Sequence, residues 1–260
     1  MAERITGIVG YGKSLALLTA TSIVVTHNNG KEPKHWPQEV FAFIGTNDEF
    51  VRQLAIEFME LLGATNFPEP RRAEIKSTIM VLLIEGLLPA YERLREIRAL
   101  SGKQIPVLNR RQQFEDFTSA LWRAYKTLLP KTAVLLGFNI GFLFQEAKEF
   151  EAGARKFESV HPGQAFMIDY LRAQRTNWQQ ELKEFRNKFV EHRNTDRGQF
   201  TKYYEQGTAE SLFDAVWKTI ANLLPVFIAA NFNGPIGIEE IPPNQRSAQN
   251  PRRFRWVLRP

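Results

Sequence analysis

The chain contains no cysteine, which excludes disulfides, thiol nucleophiles and cysteine-ligated zinc or iron–sulfur sites. Histidine is scarce. His27, His35, His161 and His192 are the only four, and no His-Glu-x-x-His pattern occurs, which argues against a histidine-rich metal site. No run reaches the roughly 18 consecutive apolar residues of a membrane span. The nearest, SLALLTATSIVV from Ser14 to Val25, is followed by no convincing small-residue cleavage site. It is expected to be an internal helix or strand and not a signal peptide. Together these absences lead us to expect a soluble, cytoplasmic protein with no membrane contact, no bound metal and no cofactor.

What is present is globular in character. The 260 residues are 43% hydrophobic and 24% charged, enough for a sizeable core. The net charge of +6 is concentrated at one end. From position 246 onward there are five arginines (Arg246, Arg252, Arg253, Arg255, Arg259) and no acid, so the preceding residues are close to neutral. A basic end of this kind suits nucleic acid or an acidic partner, and it also suits solubility alone. The stretch RRFRWVL interleaves arginine with Phe254 and Trp256. Stacking plus charge would place Arg252, Arg253 and Arg255 on RNA. The alternative is an edge strand with Phe254, Trp256 and Leu258 facing inward.

Helical periodicity dominates the middle of the chain. Phe50, Leu54, Phe58 and Leu61 repeat at four, four and three, which predicts a helix over 49–62 capped by Asn47 or Asp48 and stopped by Gly63. A longer pattern runs from Ala73 to Leu100, where Gly86 and Pro89 are expected to kink or divide it. A third helix begins near Gln113 with Phe114, Phe117, Leu121 and Tyr125, and Pro130 interrupts it. Further patterns cover 139–157, Gln164 to about His192, and Ala209 to Asn231. Only the end, IGIEEIPPNQRSAQNPRRFRWVL, changes to short extended pieces separated by turn residues. The expected fold is all-α: a helical bundle as one domain over 1–235, followed by a basic, proline-punctuated extension over 236–260 with a β-hairpin.

Two motifs fail on context. GIVGYGKS, Gly7 to Ser14, fits the spelling of a phosphate-binding loop, but such a loop needs a buried strand before it and a helix and parallel sheet behind it. The preceding MAERIT has one aliphatic residue, and the closest imitation of a second nucleotide motif, AFMID at 165–169, lies in a helical pattern. An N-terminal turn is the expected reading. No Gly-x-Ser-x-Gly elbow supports a hydrolase triad. The acids Glu146, Glu149, Glu151 and Glu158 are expected on a solvated face.

A third motif has more to support it. Leading into FRNKFVEHRN, Phe185 to Asn194, the residues Trp178, Leu182, Phe185 and Phe189 form one helical stripe, and His192 continues it. Arg186 and His192 then border that buried stripe, about 9 Å apart along the axis. Arg-to-His spacing alone carries little information. With 21 arginines and four histidines, roughly one accidental match is expected, and Arg155 with His161 supplies one. Asn187 directly after Arg186 reduces the chance to about one in twenty.

Arg186, Asn187 and His192 on a helical bundle resemble the HEPN superfamily, marked by an arginine, four to six residues and a histidine. The likeness covers 178–194 closely and the bundle over about 113–231 more loosely. It implies metal-independent RNA cleavage, in which His192 moves protons, Arg186 steadies the phosphate and Asn187 orients His192 or binds the phosphate. It also implies a homodimer with a shared site, and a toxin or phage-defence role with an antitoxin protein as a partner. Two other readings stay open: a bundle that binds RNA, a nucleotide or a protein without cutting it, and an unrelated helical interaction protein in which Arg186 pairs with Glu181 or with an acid of a neighbouring helix.

Overall fold

A computed structural model describes residues 7–11, 14–18, 22–27, 34–37, 50–63, 65–100, 107–162, 165–187, 206–231, 236–240, 242–245 and 254–258. Where side chains are described the chain is helical almost throughout, as an all-α bundle requires. Contacts divide it into two compact units. One comprises 1–79, 135–138 and 221–260; the other comprises 80–134 and 139–220.

In the first unit, strands β1 (Gly7–Tyr11), β2 (Ser14–Leu18), β3 (Ser22–His27) and β4 (Lys34–Pro37) pair antiparallel in sequence order. This sheet lies within the span expected to belong to a single α-helical domain, where Ser14 to Val25 was open to either helix or strand. A short apolar run does not reveal its period, and SIVVTH is rich in β-branched residues that favour strands. The same register removes the phosphate-loop reading of Gly7 to Ser14. Tyr11 pairs with Ser14 across an antiparallel hairpin, whereas a phosphate loop would lead into a helix.

Helix α1 (Phe50–Gly63) follows, and its stripe positions Leu54, Phe58 and Leu61 are buried. Just after it, the Thr65 hydroxyl donates to the Leu62 carbonyl at 2.7 Å, satisfying one of the terminal acceptors that a helix leaves open. Asn231 joins separate segments of this unit. Its carbonyl accepts from the Asn66 N–H at 2.9 Å, and its side-chain amide donates to the Leu136 carbonyl at 3.0 Å. Phe138 and Phe227 stack nearby with centroids 4.6 Å apart. Further along, β5 (Ile236–Glu240) pairs antiparallel with β6 (Phe254–Leu258).

The long helical run over 69–100 does not break at its proline. Helix α2 (Glu69–Val81) passes through a π-turn (Leu82–Leu87) into α3 (Leu88–Leu100). It starts four residues before the expected Ala73, with Glu69 as the acid of its first turn, where the helix dipole favours negative charge. A second proline is handled the same way. Helix α4 (Val107–Trp122) widens into a π-turn (Arg123–Leu128) and continues as α5 (Leu129–Leu135). Leu-Leu-Pro ends both passages, at 87–89 and 128–130. Proline cannot donate to the carbonyl four residues back, and its ring collides with that carbonyl. A turn with one extra residue moves the carbonyl aside, so the helix continues where a kink was expected.

Within the second unit, α3 packs on α4 and the two π-turns meet. Gly86 makes that approach possible: a Cβ there would stand 3.0 Å from the Ala124 Cβ. A 3₁₀ turn (Gly141–Phe144) then leads to α6 (Ala147–Val160). Next come α7 (Ala165–Gln174), a π-turn (Arg175–Gln179) and α8 (Gln180–Arg186). The Arg172 guanidinium binds Glu151 at 2.8 Å and Asp169 at 3.0 Å, linking α6 to α7. Those hydrogen bonds raise the Arg172 pKa further and hold the Glu151 carboxyl below its usual range.

The last helix, α9 (Gln206–Ala229), contains Pro225. Its residues Gly207–Ile228 are long and apolar enough to cross a membrane by composition, yet 76% of that window is buried inside the protein. A core helix has this property too.

Tyr125 lies at the centre of the second unit, fully buried between Phe144 at 5.1 Å and Trp178 at 4.8 Å. Its hydroxyl has no hydrogen-bond partner. Burial, and secondarily Tyr170, raise its pKa well above the tyrosine range. Tyr125→Phe removes an unsatisfied buried hydroxyl and is expected to stabilise the protein by roughly 1–3 kcal/mol at neutral pH. As pH rises past about 10 the unfolded tyrosine loses its proton before the native one. The unfolded state then binds fewer protons, so native stability falls with rising pH. Urea titrations at pH 7 and pH 11 should show this alkaline loss shrinking in Tyr125→Phe.

Candidate functional site

Three π-turn and helix segments build the surroundings of Arg186. Along the 165–187 run, Trp178, Leu182 and Phe185 are buried, the inward stripe expected from their spacing; Phe189 lies outside the described residues. Arg186 ends α8 half-buried. The next residue, Asn187, is also half-buried, and its N–H donates to the carbonyls of Lys183 and Glu184. Such shared bonds are common at helix ends.

Helix α4 packs against α8 and brings Trp122 under the arginine. The Arg186 guanidinium carbon lies 4.7 Å from the Trp122 ring centroid. Lys126, one turn further along the same chain segment, holds its ammonium 4.8 Å from that ring and 5.7 Å from Phe144. Cations over an aromatic face are stabilised by the ring quadrupole, by about 0.5–2 kcal/mol depending on exposure. Phe144 meets Trp122 edge-on at 5.0 Å.

Polar contacts fix the 3₁₀ turn that carries Phe144. The Gln179 side-chain amide donates to the Leu143 carbonyl, and Arg175 donates to the Gln145 carbonyl at 2.7 Å. Arg175 also lies 4.9 Å from the Phe150 ring. Beyond the turn, Lys183 binds Glu146 at 2.6 Å; this bond and the lysine charge hold the Glu146 carboxyl below its usual range. Phe142 meanwhile fills the space left at Gly153, where a Cβ would overlap its ring. The acids expected on a plain solvated face therefore include three, Glu146, Glu151 and Glu158, that pair with bases on other segments.

Of the motif residues, Arg186 and Asn187 are adjacent at the bundle edge, and His192 lies outside the described residues. Arg252 and Arg253 also lie outside them, and Arg255 stands opposite Glu239 in the β5–β6 register. The suggested Arg186–Glu181 pair is not formed: among the described residues Glu181 has no ion pair. At the second Arg-to-His spacing, Arg155 is exposed on α6 and His161 leans on the Phe157 ring at 4.8 Å. Among the described residues no group of three or more His, Asp or Glu side chains could hold a metal ion.

Trp122, Lys126 and Phe144 escaped the sequence reading. They lie 42–64 positions before Arg186, and no periodicity connects segments that far apart. The available signal was local, a tryptophan followed four residues later by lysine on a helix, which is a common cation–aromatic spacing. No protein-family model, curated protein or solved structure matches this chain.

Proposed function

We propose that the protein is a HEPN-like, metal-independent endoribonuclease acting at Arg186, Asn187 and His192. The observation that carries this reading is Arg186 itself, half-buried at the rim of a helical bundle and stacked on Trp122. A guanidinium held in this way is oriented before substrate arrives, which is how a fixed charge steadies a crowded phosphate. In the reaction, the 2′-oxygen attacks phosphorus and the bond from phosphorus to the 5′-oxygen breaks. The products are a 2′,3′-cyclic phosphate and a 5′-hydroxyl. One proton leaves the 2′-hydroxyl and one reaches the departing oxygen. His192 serves one transfer, and the same motif of a second copy serves the other in a homodimer. Asn187 orients the phosphate or the imidazole.

The basic residues Arg252, Arg253 and Arg255 of the C-terminal extension add contacts to the RNA backbone. The biological setting that fits is a cytoplasmic toxin or phage-defence component restrained by an antitoxin protein. A second reading is favoured by the Trp122–Lys126–Arg186 cluster, which does not depend on His192: the bundle binds RNA or another partner without cutting it.

The deciding experiment incubates the purified protein with RNA in EDTA, beside DNA of the same sequence. RNA is expected to be cut to cyclic-phosphate ends and DNA to remain whole, because DNA lacks the attacking 2′-hydroxyl. Intact RNA with retained binding selects the second reading. Cleavage of both strands overturns the mechanism.

A further inference from the structure

Trp122 differs from the other tryptophans with described side chains. Trp178 donates its indole N–H to Gln174 at 2.9 Å and Trp217 donates to Asp214 at 3.1 Å. The Trp122 N–H has no partner among the described residues, although the residue is only 8% exposed. Lys126 is exposed and forms no ion pair among the described residues, and its ammonium lies over the Trp122 and Phe144 rings. A positive charge, a spare N–H and the guanidinium of Arg186 thus converge on one ring.

The π-turn forced by Pro130 contains Lys126 and begins directly after Trp122, so the backbone itself sets their relation. Such turns are often found at functional sites. An anion with several acceptor oxygens complements Lys126, the spare indole N–H and the guanidinium. A phosphodiester has two non-bridging oxygens and one negative charge, and arginine, lysine and an indole N–H can each donate to it.

We propose that Trp122, Lys126 and Arg186 form a single binding site for the backbone of single-stranded nucleic acid. This extends the proposed ribonuclease reading, since it shares Arg186, and makes Lys126 and Trp122 substrate-binding residues on a different helix. Lys126 contributes charge. Trp122 supports both cations and offers its N–H to the phosphate.

The test measures anisotropy of a labelled oligodeoxythymidine, which the proposed chemistry cannot cut, across a range of salt concentrations. Four proteins are compared: wild type, Lys126→Ala, Trp122→Phe and Lys131→Ala. Lys126→Ala is expected to weaken binding roughly three- to tenfold and to flatten the log–log salt slope by about 0.7, the value of one lost contact on a single strand. Trp122→Phe keeps a ring and both charges, so binding weakens while the slope holds. Lys131→Ala, exposed on α5, should match wild type. Equal affinity and slope in Lys126→Ala and wild type overturns the site, as does failure of wild type to bind, or tighter binding of polyglutamate. Failure of the two readings is distinguishable. Unchanged Lys126→Ala binding with RNA cleavage intact removes this site alone, and Lys126-dependent binding without cleavage removes only the nuclease.

Discussion

Replacing His192 by alanine is expected to lower RNA cleavage in EDTA by about 10²–10⁴-fold, the usual contribution of a positioned proton-transfer group. An imidazole titrates near neutrality, so the remaining activity should also lose its near-neutral dependence on pH. Arg186→Ala should cost about 10²–10³-fold, comparable to removing one preorganised donor from a developing oxyanion. Arg186→Lys should not restore it. A lysine keeps the charge but lacks the planar fork, and it stacks less well on the Trp122 ring 4.7 Å away. Single-turnover rates separate loss of chemistry from loss of binding. Unchanged rates in both alanine variants would remove these residues from the site.

Phe185→Ala should behave in the opposite manner, with a large loss of stability. Phe185 is 1% exposed and belongs to the stripe shared with Trp178 and Leu182. Emptying such a position typically costs about 3–5 kcal/mol, because the surroundings relax only partly into the cavity. Its neighbour Arg186 is half-buried and stacked, and Arg186→Ala, which empties no core position, should cost less than Phe185→Ala. Urea unfolding of the two variants measures the contrast. A loss below about 1 kcal/mol for Phe185→Ala would mean that the stripe is not the core contact described above. The pair matters functionally, because an inactive Arg186→Ala that remains folded can be interpreted and an unfolded variant cannot.

The helices were legible because burial imposes a period. Leu54, Phe58 and Leu61 in α1, Phe114, Phe117 and Leu121 in α4, and Trp178, Leu182 and Phe185 in the 165–187 run are all buried. Each was marked by three- and four-residue spacing alone. The prolines were legible only as interruptions. Pro89 and Pro130 signalled kinks, and the chain answered with π-turns that carry the helix past them. That choice depends on packing. Gly86 and Ala124 bring the two wide turns together, and a single segment carries no information about the turn it will meet. The strands before residue 40 were ambiguous for a different reason, since a short apolar run is compatible with either period.

The sequence by itself determined the chemistry at hand: no thiol, few imidazoles, a basic end, and an Arg-Asn pair followed by a histidine beside a buried stripe. Tertiary structure decided what that arginine touches. Trp122 reaches it because α4 packs on α8, and Lys126 and Phe144 meet that same ring where a 3₁₀ turn is tied down by Arg175 and Gln179. Local periodicity reports which face of a helix is buried. It does not report which distant side chain will lie against the border of that face, because that depends on how helices from separate parts of the chain come together.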